Sequence, residues 1–216
     1  RLEGGVVQGS STTVGTVLTS SDARDFNLEG LGILSLNVDG EVSEGNTLSG
    51  SLNYADGDTV TFDTAYDASY EDRPLLDELA GAYTVEVAYS QGVDTASVEI
   101  DINGGVSGLG GSGCKFTGTA APNGSGNIFD LELTFDASPC VFANETFRGI
   151  LKQAGDGTVL GAAPNGDRSD GVVFAGGIEE EPEGPVTIIN IDGRSGLNGE
   201  FADVIAGRYR LDKASP

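Results

Sequence analysis

The sequence contains no histidine, no methionine and no tryptophan, and it has only 11 basic residues against 34 acidic ones. Without histidine, catalysis by Ser-His-Asp or Cys-His arrangements and metal sites with histidine ligands are excluded. A net charge of −23 argues against nucleic-acid binding, because neutralising phosphates requires clustered lysine and arginine. No apolar run approaches the ~20 residues that a membrane-spanning helix needs. We therefore expect a protein that is not an enzyme, has no transmembrane segment and does not bind nucleic acid.

Cysteine is also scarce, since Cys114 and Cys140 are the only two in the chain. An even pair in a glycine-rich sequence predicts a disulfide formed outside the cytosol, and two buried free thiols are the alternative. We therefore expect an extracellular or cell-surface location. The excess of acidic residues is compatible with that setting, although like charges also serve simply to keep molecules apart in solution.

Turn signals and alternating apolar residues are abundant by contrast. Asn-Gly occurs four times and Asp-Gly five times, and both dipeptides favour the tight turns of β-hairpins. Apolar residues between these turns alternate with Thr, Ser, Asp and Glu, as in 83–89 and 129–135. This period of two predicts antiparallel strands with one wet face. Only the segment around 74–80 is typical of a helix, with Pro near its start and Gly at its end.

The predicted fold is therefore all-β, an antiparallel hairpin meander forming a barrel or sandwich with one short helix near 74–80. We divide the chain into N-terminal antiparallel strands (1–72), a disulfide-pinned β-barrel unit (73–177), an acidic linker (178–185) and a C-terminal tail (186–216) that bears a strand. The strands predicted in the barrel unit are Ala82–Tyr89, Ala96–Ile102, Cys114–Ala120, Ile128–Asp136, Thr146–Gln153, Thr158–Ala163 and Val172–Ala175.

Two motifs suggest ligand chemistry. Gly108–Gly113 satisfies G-x-G-x-x-G, but a strand-like segment follows it instead of a helix, so we interpret it as a hairpin loop and not as a dinucleotide site. The acidic residues Asp56, Asp58 and Asp63 could supply carboxylate oxygens to calcium, although their spacing is not that of an EF-hand. Turn formation and solvated strand faces are the competing interpretation. No other cofactor is expected.

Several segments resemble a group of small proteobacterial secreted proteins and lipoproteins, whose barrels are calycin-like and similar to the barrel lobes of transferrin-binding-protein-like surface lipoproteins. The segments that carry the resemblance are Ser21–Leu28, Leu79–Thr84, Gly113–Gly118, Asn127–Leu133, Ser138–Cys140 and Arg168–Phe174. The resemblance covers roughly residues 5 to 176, rests on turn and core positions, and implies a surface or secreted barrel without identifying a ligand. The first strands usual in that group are missing before Val6, so we expect the barrel to expose an edge.

The tail suggests how such an edge could be covered. Val186–Ile191 is apolar on both faces, as a buried strand would be. It could pair within the same molecule or fill the edge of a neighbour by strand donation, through Val186, Ile188, Ile189 and Ile191. Repeated head-to-tail, donation would build an open filament.

Two functions from different classes follow. The first is a non-catalytic extracellular structural or adhesive surface protein, such as a fibre or pilus-like subunit that self-associates through the C-terminal strand. The alternative is a monomeric surface lipoprotein-type barrel that binds a small molecule or a partner protein, including a host ligand. Barrels of about eight strands can hold one small ligand, although many are simply filled by side chains. The candidate lining residues are Tyr83, Val85, Phe129, Leu131 and Phe135.

Overall fold

The computed structural model describes residues 5–27 and 32–178, and it confirms the all-β prediction. Six strands precede the helical segment: β1 (Gly5–Gln8), β2 (Thr12–Val14), β3 (Val17–Asn27), β4 (Gly32–Ser43), β5 (Thr47–Tyr54) and β6 (Thr59–Ala65). Eight follow it: β7 (Gly81–Tyr89), β8 (Gly92–Ile100), β9 (Gly105–Gly110), β10 (Lys115–Pro122), β11 (Phe129–Phe135), β12 (Thr146–Gln153), β13 (Val159–Pro164) and β14 (Gly171–Ile178). Between the two groups lie a 3₁₀ turn (Ala68–Glu71) and α1 (Leu76–Leu79). No helix in these described ranges is long and apolar enough to cross a membrane.

The first six strands form an open antiparallel sheet, which we call the N-terminal sheet. Its order is β1-β3-β4-β5-β6, and β2 also pairs with β3, on a different stretch of that strand from β1. The register of β3 on β4 shifts between Ser20 and Ala23, which marks a β-bulge. Within the described residues, β6 pairs only with β5, so the sheet ends at β6.

Alternation along these strands separates an apolar face from a polar one. Cross-strand pairing places Val38, Leu52 and Val60 in one row, and equivalent rows run above and below it. The apolar face carries Leu18, Ala23, Leu34, Leu36, Val38, Val42, Leu48, Leu52, Tyr54, Val60 and Phe62. Leu36 is buried and Leu52 half-buried, whereas Val60 at the edge is 51% exposed. Burial therefore falls off toward β6.

The last eight strands form a closed barrel. Each strand pairs with its neighbours in sequence, and β14 closes the ring by pairing with β7 from Val172↔Tyr89 to Ile178↔Tyr83. The expectation that this barrel lacks its opening strands and exposes an edge is wrong, because eight strands from Gly81 onward complete the circumference. The open edge belongs to the N-terminal sheet instead.

The sequence-based strand assignment missed β9. Its glycine content made Gly108–Gly113 read as a loop, whereas β9 continues to Gly110 and only the residues after it form the turn. Gly108 lies opposite Phe116, and a Cβ at Gly108 would overlap the Phe116 ring. Glycine in this strand therefore makes room for a cross-strand aromatic ring that fills the barrel. Gly161 and Phe174 repeat the arrangement on β13 and β14.

The two cysteines form the predicted bond. Their sulfur atoms lie 2.02 Å apart, and their Cα atoms are 4.5 Å apart. Cys114 lies immediately before β10, and Cys140 lies in the loop between β11 and β12. The bond therefore ties the loop between β11 and β12 to the start of β10.

The N-terminal sheet and the barrel belong to one compact unit. Phe26 of β3 is 2% exposed, and a Cβ placed on Gly171 of β14 would come within 2.9 Å of its ring. The segment after β6 makes a second contact, where Asn127 donates to the carbonyl oxygen of Ser69 at 3.0 Å and Lys152 pairs with Asp67 at 3.1 Å. The predicted linker beyond Ile178 and the predicted tail strand lie outside the described residues.

Candidate functional site

The interior of the barrel is filled with side chains. The predicted lining residues Tyr83, Val85, Phe129, Leu131 and Phe135 all point inward and are at most 9% exposed. Tyr83, Val85, Leu131 and Phe135 border a cavity of about 50 Å³, and Phe135 also borders a second cavity of about 60 Å³. A water molecule occupies about 30 Å³ of liquid, and pockets for small organic ligands measure about 300–1,000 Å³. All five residues belong to the hydrophobic core of the barrel.

Aromatic packing accounts for the small cavity. Phe135 lies 5.2 Å from Phe147 between ring centroids, and Phe142 lies 4.8 Å from Phe147. Both spacings are in the range of favourable ring contacts. Phe116 and Tyr89 extend the cluster at 5.8 Å from Phe135 and Phe142 respectively. The cluster occupies the volume that a ligand would need.

Helix α1 packs against the barrel core through Leu79. This side chain is fully buried among the core residues, and the Tyr83 hydroxyl donates to its carbonyl oxygen at 2.5 Å. Burial raises the pKa of Tyr83. Gln153 also donates to the carbonyl oxygen of Glu78 at 3.0 Å, which fixes the helix to β12. The helix is thus a fixed part of the barrel.

The predicted calcium ligands lie in and beside the β5–β6 hairpin. Asp56 accepts a hydrogen bond from the Asp58 amide at 3.1 Å, which is a turn-forming contact within the β5–β6 hairpin. Asp63 lies in β6, opposite Ser49 of β5. No group of three His, Cys, Asp or Glu residues suited to a metal ion occurs in the part of the chain that the structure describes.

Of the carboxylates with shifted pKa values, Asp156 and Asp167 lie in turns, whereas Asp94 lies in β8. The pKa of Asp156 and that of Asp167 are lowered, mainly by hydrogen bonds from Thr158 and Ser169. The pKa of Asp94 is also lowered, because hydrogen bonds from Ser112 and neighbouring amides outweigh the opposing effect of burial. A general acid needs a raised pKa, and every resolved carboxylate shift among the described residues is a lowering.

A cleft of about 340 Å³ lies where the N-terminal sheet meets the barrel. Its lining includes β1, Phe26 and small residues of β12, β13 and β14, such as Ala162 and Gly171. Arg148 is the only charged residue of the lining, and its guanidinium is already paired with Glu132 at 2.7 Å. The cleft is large enough for a small ligand but offers no unpaired charge to orient one.

The outer edge of β6 carries backbone N–H and C=O groups that another strand could bind. The Tyr54 amide donates to the Asp58 carbonyl at 2.9 Å, and the Tyr66 amide donates to the Asn46 carbonyl at 2.7 Å. Because backbone groups alternate sides along a strand, the even-numbered residues between these points bond to β5. The N–H and C=O groups of Thr59, Thr61, Asp63 and Ala65 therefore point away from the sheet. None of them is bonded to another strand of the described chain.

The opposite edge of the N-terminal sheet is partly occupied. Arg168 of the barrel donates to the Gln8 carbonyl at 2.6 Å, so the ladder of β1 is capped at that point. The edge of β6 has no such contact among the described residues. No side-chain motif of the sequence marks this site, because the site consists of backbone groups. The sequence does indicate that this strand could accept a partner, since Thr59–Ala65 contains no Pro, Lys or Arg to block pairing.

No protein-family model matches the chain, and a search of curated proteins finds no match.

Proposed function

We propose that this protein is a non-catalytic extracellular binding module that captures a partner protein through its N-terminal sheet. The observation that carries the proposal is the contrast between the two sheets. The barrel is closed, disulfide-bonded and filled, which suits a rigid support. The N-terminal sheet has a free edge and an apolar face whose exposure increases toward that edge. Exposed apolar patches beside unpaired backbone are typical of protein-recognition surfaces.

Site-specific photo-cross-linking tests this proposal. A photo-reactive amino acid would replace Val60 at the edge of the N-terminal sheet or, as a matched control, Leu160 on the outside of the barrel. The two native side chains have similar exposure, 51% and 45%. Each variant would be irradiated with a mixture of secreted and cell-surface proteins, with and without an excess of unmodified protein.

We expect a discrete adduct from the Val60 position that the unmodified protein competes away, and none from the Leu160 position. Equal adducts at both positions, or none at Val60, would overturn the proposal. The cross-link would report on the surface itself, independently of the partner's chemistry.

Assembly into a fibre is the second candidate, and the same free edge favours it. The edge of β6 could accept a strand from another copy, and Val186–Ile191 is the donor that the sequence offers. In that case the adduct would contain two copies of this chain, and electron microscopy of the purified protein would show filaments. Monomers at all concentrations would leave capture of a different protein as the function.

A further inference from the structure

The edge strand β6 is unprotected in a way that natural edge strands usually avoid. Sheets discourage unwanted pairing with Lys, Pro, a bulge or a very short edge strand. β6 has seven residues, no Lys or Pro, and an unbroken register on β5 from Thr47↔Ala65 to Asn53↔Thr59. Its one charged side chain is Asp63. An edge with these properties is suited to receive another strand.

The side chains of β6 define what an incoming strand should carry. Val60 and Phe62 lie on the apolar face, whereas Thr59, Thr61 and Asp63 lie on the polar face. In an antiparallel pairing, the residues that bond to Thr59, Thr61 and Asp63 also place their side chains on the polar face. The residues between them fall beside Val60 and Phe62. The partner strand should therefore alternate polar with apolar residues.

The charge around the β6 edge indicates which residues should occupy the polar positions of the partner strand. From Gly32 to Asp72 the chain has no Lys or Arg, and it carries nine acids: Asp39, Glu41, Glu44, Asp56, Asp58, Asp63, Asp67, Glu71 and Asp72. One of them, Asp67, is paired with Lys152 of the barrel. The remaining negative charge attracts positively charged partners and repels a second copy of a chain whose net charge is −23.

The unpaired backbone groups of β6 and the negative charge around them together indicate the partner's chemistry. Building on the binding function proposed above, we propose that the β6 edge recognises an extended cationic segment of another protein, which adds to the N-terminal sheet as an antiparallel strand. Basic side chains of that segment lie beside Asp63 and the polar face, and its apolar side chains cover Val60 and Phe62. The predicted tail strand Val186–Ile191 carries no basic residue and does not meet this requirement.

Three labelled peptides of seven residues test the proposal by fluorescence anisotropy. The first alternates Lys with Val, beginning and ending on Lys. The second replaces each Lys with Glu. The third keeps the first sequence but carries a methyl group on the backbone nitrogen of every Lys, which removes the N–H groups that would bond to β6 without changing the charge. We expect binding of the first peptide only, weakening as salt is added.

Two variants locate the binding on the protein. Thr61→Pro removes an outward N–H from the middle of the edge and leaves the bonds to β5 intact, because the Thr61 amide does not point toward β5. Thr61→Ala retains that amide and is the matched control. The proline variant should bind the first peptide about tenfold more weakly than the alanine variant. Circular dichroism and the unfolding midpoint check that both variants fold.

Equal binding of the first peptide to both variants, or of the methylated peptide to the unmodified protein, would overturn strand addition at this edge. Equal binding of the Glu peptide would overturn the cationic preference. If the Thr61→Pro variant does not fold, the methylated peptide decides the question alone. A cross-link at Val60 without binding of the first peptide would leave the binding function standing and reject this inference.

Discussion

Nη1 of Arg168 lies 3.2 Å from Oδ2 of Asp22, and this ion pair joins the turn before β14 of the barrel to β3 of the N-terminal sheet. Nη2 of the same guanidinium donates to the Gln8 carbonyl at 2.6 Å. Arg168 holds a positive φ of 61°, a conformation that costs a non-glycine residue free energy. The turn thus positions one planar group to bind two strands of the other sheet.

Replacing this guanidinium should loosen the contact between the sheets. We expect Arg168→Lys to speed amide hydrogen exchange in β1 and in the part of β3 that pairs with it, because one ammonium group cannot reproduce both contacts. Exchange in the barrel should not change. Lys115→Arg is the control, since Lys115 is exposed on β10 of the barrel. Unaltered exchange in β1 of the Arg168 variant would show that the contacts of Arg168 with Asp22 and Gln8 do not stabilise β1.

Because of the hydrogen bond from Tyr54 to Asp25, the free energy of unfolding should decrease as the pH rises in the alkaline range. The two oxygens lie 2.7 Å apart, and this bond raises the pKa of Tyr54 from 10.0 to about 12. Because the folded-state pKa lies above the unfolded one, the stabilisation is complete below pH 10 and is lost as the pH rises through about 12. Tyr54→Phe should therefore reduce the loss of stability over that interval, as measured by urea unfolding.

Spectroscopic titration of the phenols provides an independent measurement. Tyr54→Phe should remove one late-ionising tyrosine from the ultraviolet difference spectrum. Asp25→Asn keeps an acceptor but removes the charge, so it should lower the pKa of Tyr54. An alkaline titration identical to that of the unmodified protein in both variants would contradict the assignment.

Packing of Phe26 against Gly171 should contribute to stability as a coupled pair. Phe26→Ala should lower the free energy of unfolding by about 3 kcal/mol, because it removes a fully buried ring. Gly171→Ala should cost about 1–3 kcal/mol, since the added methyl group is too close to that ring. Urea unfolding of both single variants and the double variant measures the coupling.

The second substitution should cost less when the ring is already absent, and strictly additive effects would contradict the contact. Gly124→Ala is a suitable control, because a Cβ at Gly124 would have no heavy atom within 4 Å.

The disulfide should stabilise the barrel by restricting its unfolded chain. Cys114 and Cys140 are 26 residues apart, and closing a loop of that length contributes about 3 kcal/mol on the chain-entropy model. We expect the Cys114→Ser/Cys140→Ser double variant to lose about this much in urea unfolding while keeping its β-sheet circular dichroism spectrum. A reducing agent should lower the unfolding midpoint of the unmodified protein and leave the variant unaffected. Equal midpoints would refute the contribution.

Sequence reasoning predicted the strands well where side chains alternate strictly. Phe129–Phe135 alternates buried and wetter residues, and its predicted bounds differ from the observed ones by one residue at each end. β9 was missed because Gly108 has no side chain to show the period, and the Phe116 ring that fills its space comes from another strand. Closure of the barrel was also missed, since the pairing of β14 with β7 joins segments about ninety residues apart.

The candidate site was harder to predict than the fold. Sequence reasoning considered inward-facing residues such as Tyr83 as ligand contacts, but whether a barrel is hollow depends on how aromatic rings such as Phe142 and Phe147 meet in space. The free edge of β6 depends on which strands do not pair. A sequence pattern shows which segments can form strands, but the unpaired side of a strand becomes apparent only from the assembled sheet.

Closure of the barrel through β14 and β7 places its chain ends side by side, since Ile178 pairs with Tyr83 close to the start at Gly81. A chain whose ends meet can be opened elsewhere and rejoined, so the barrel is topologically suited to circular permutation and to insertion into a loop of another protein. The N-terminal sheet is attached through a single covalent connection, which precedes helix α1. Recognition elements could therefore be exchanged at that point without opening the barrel.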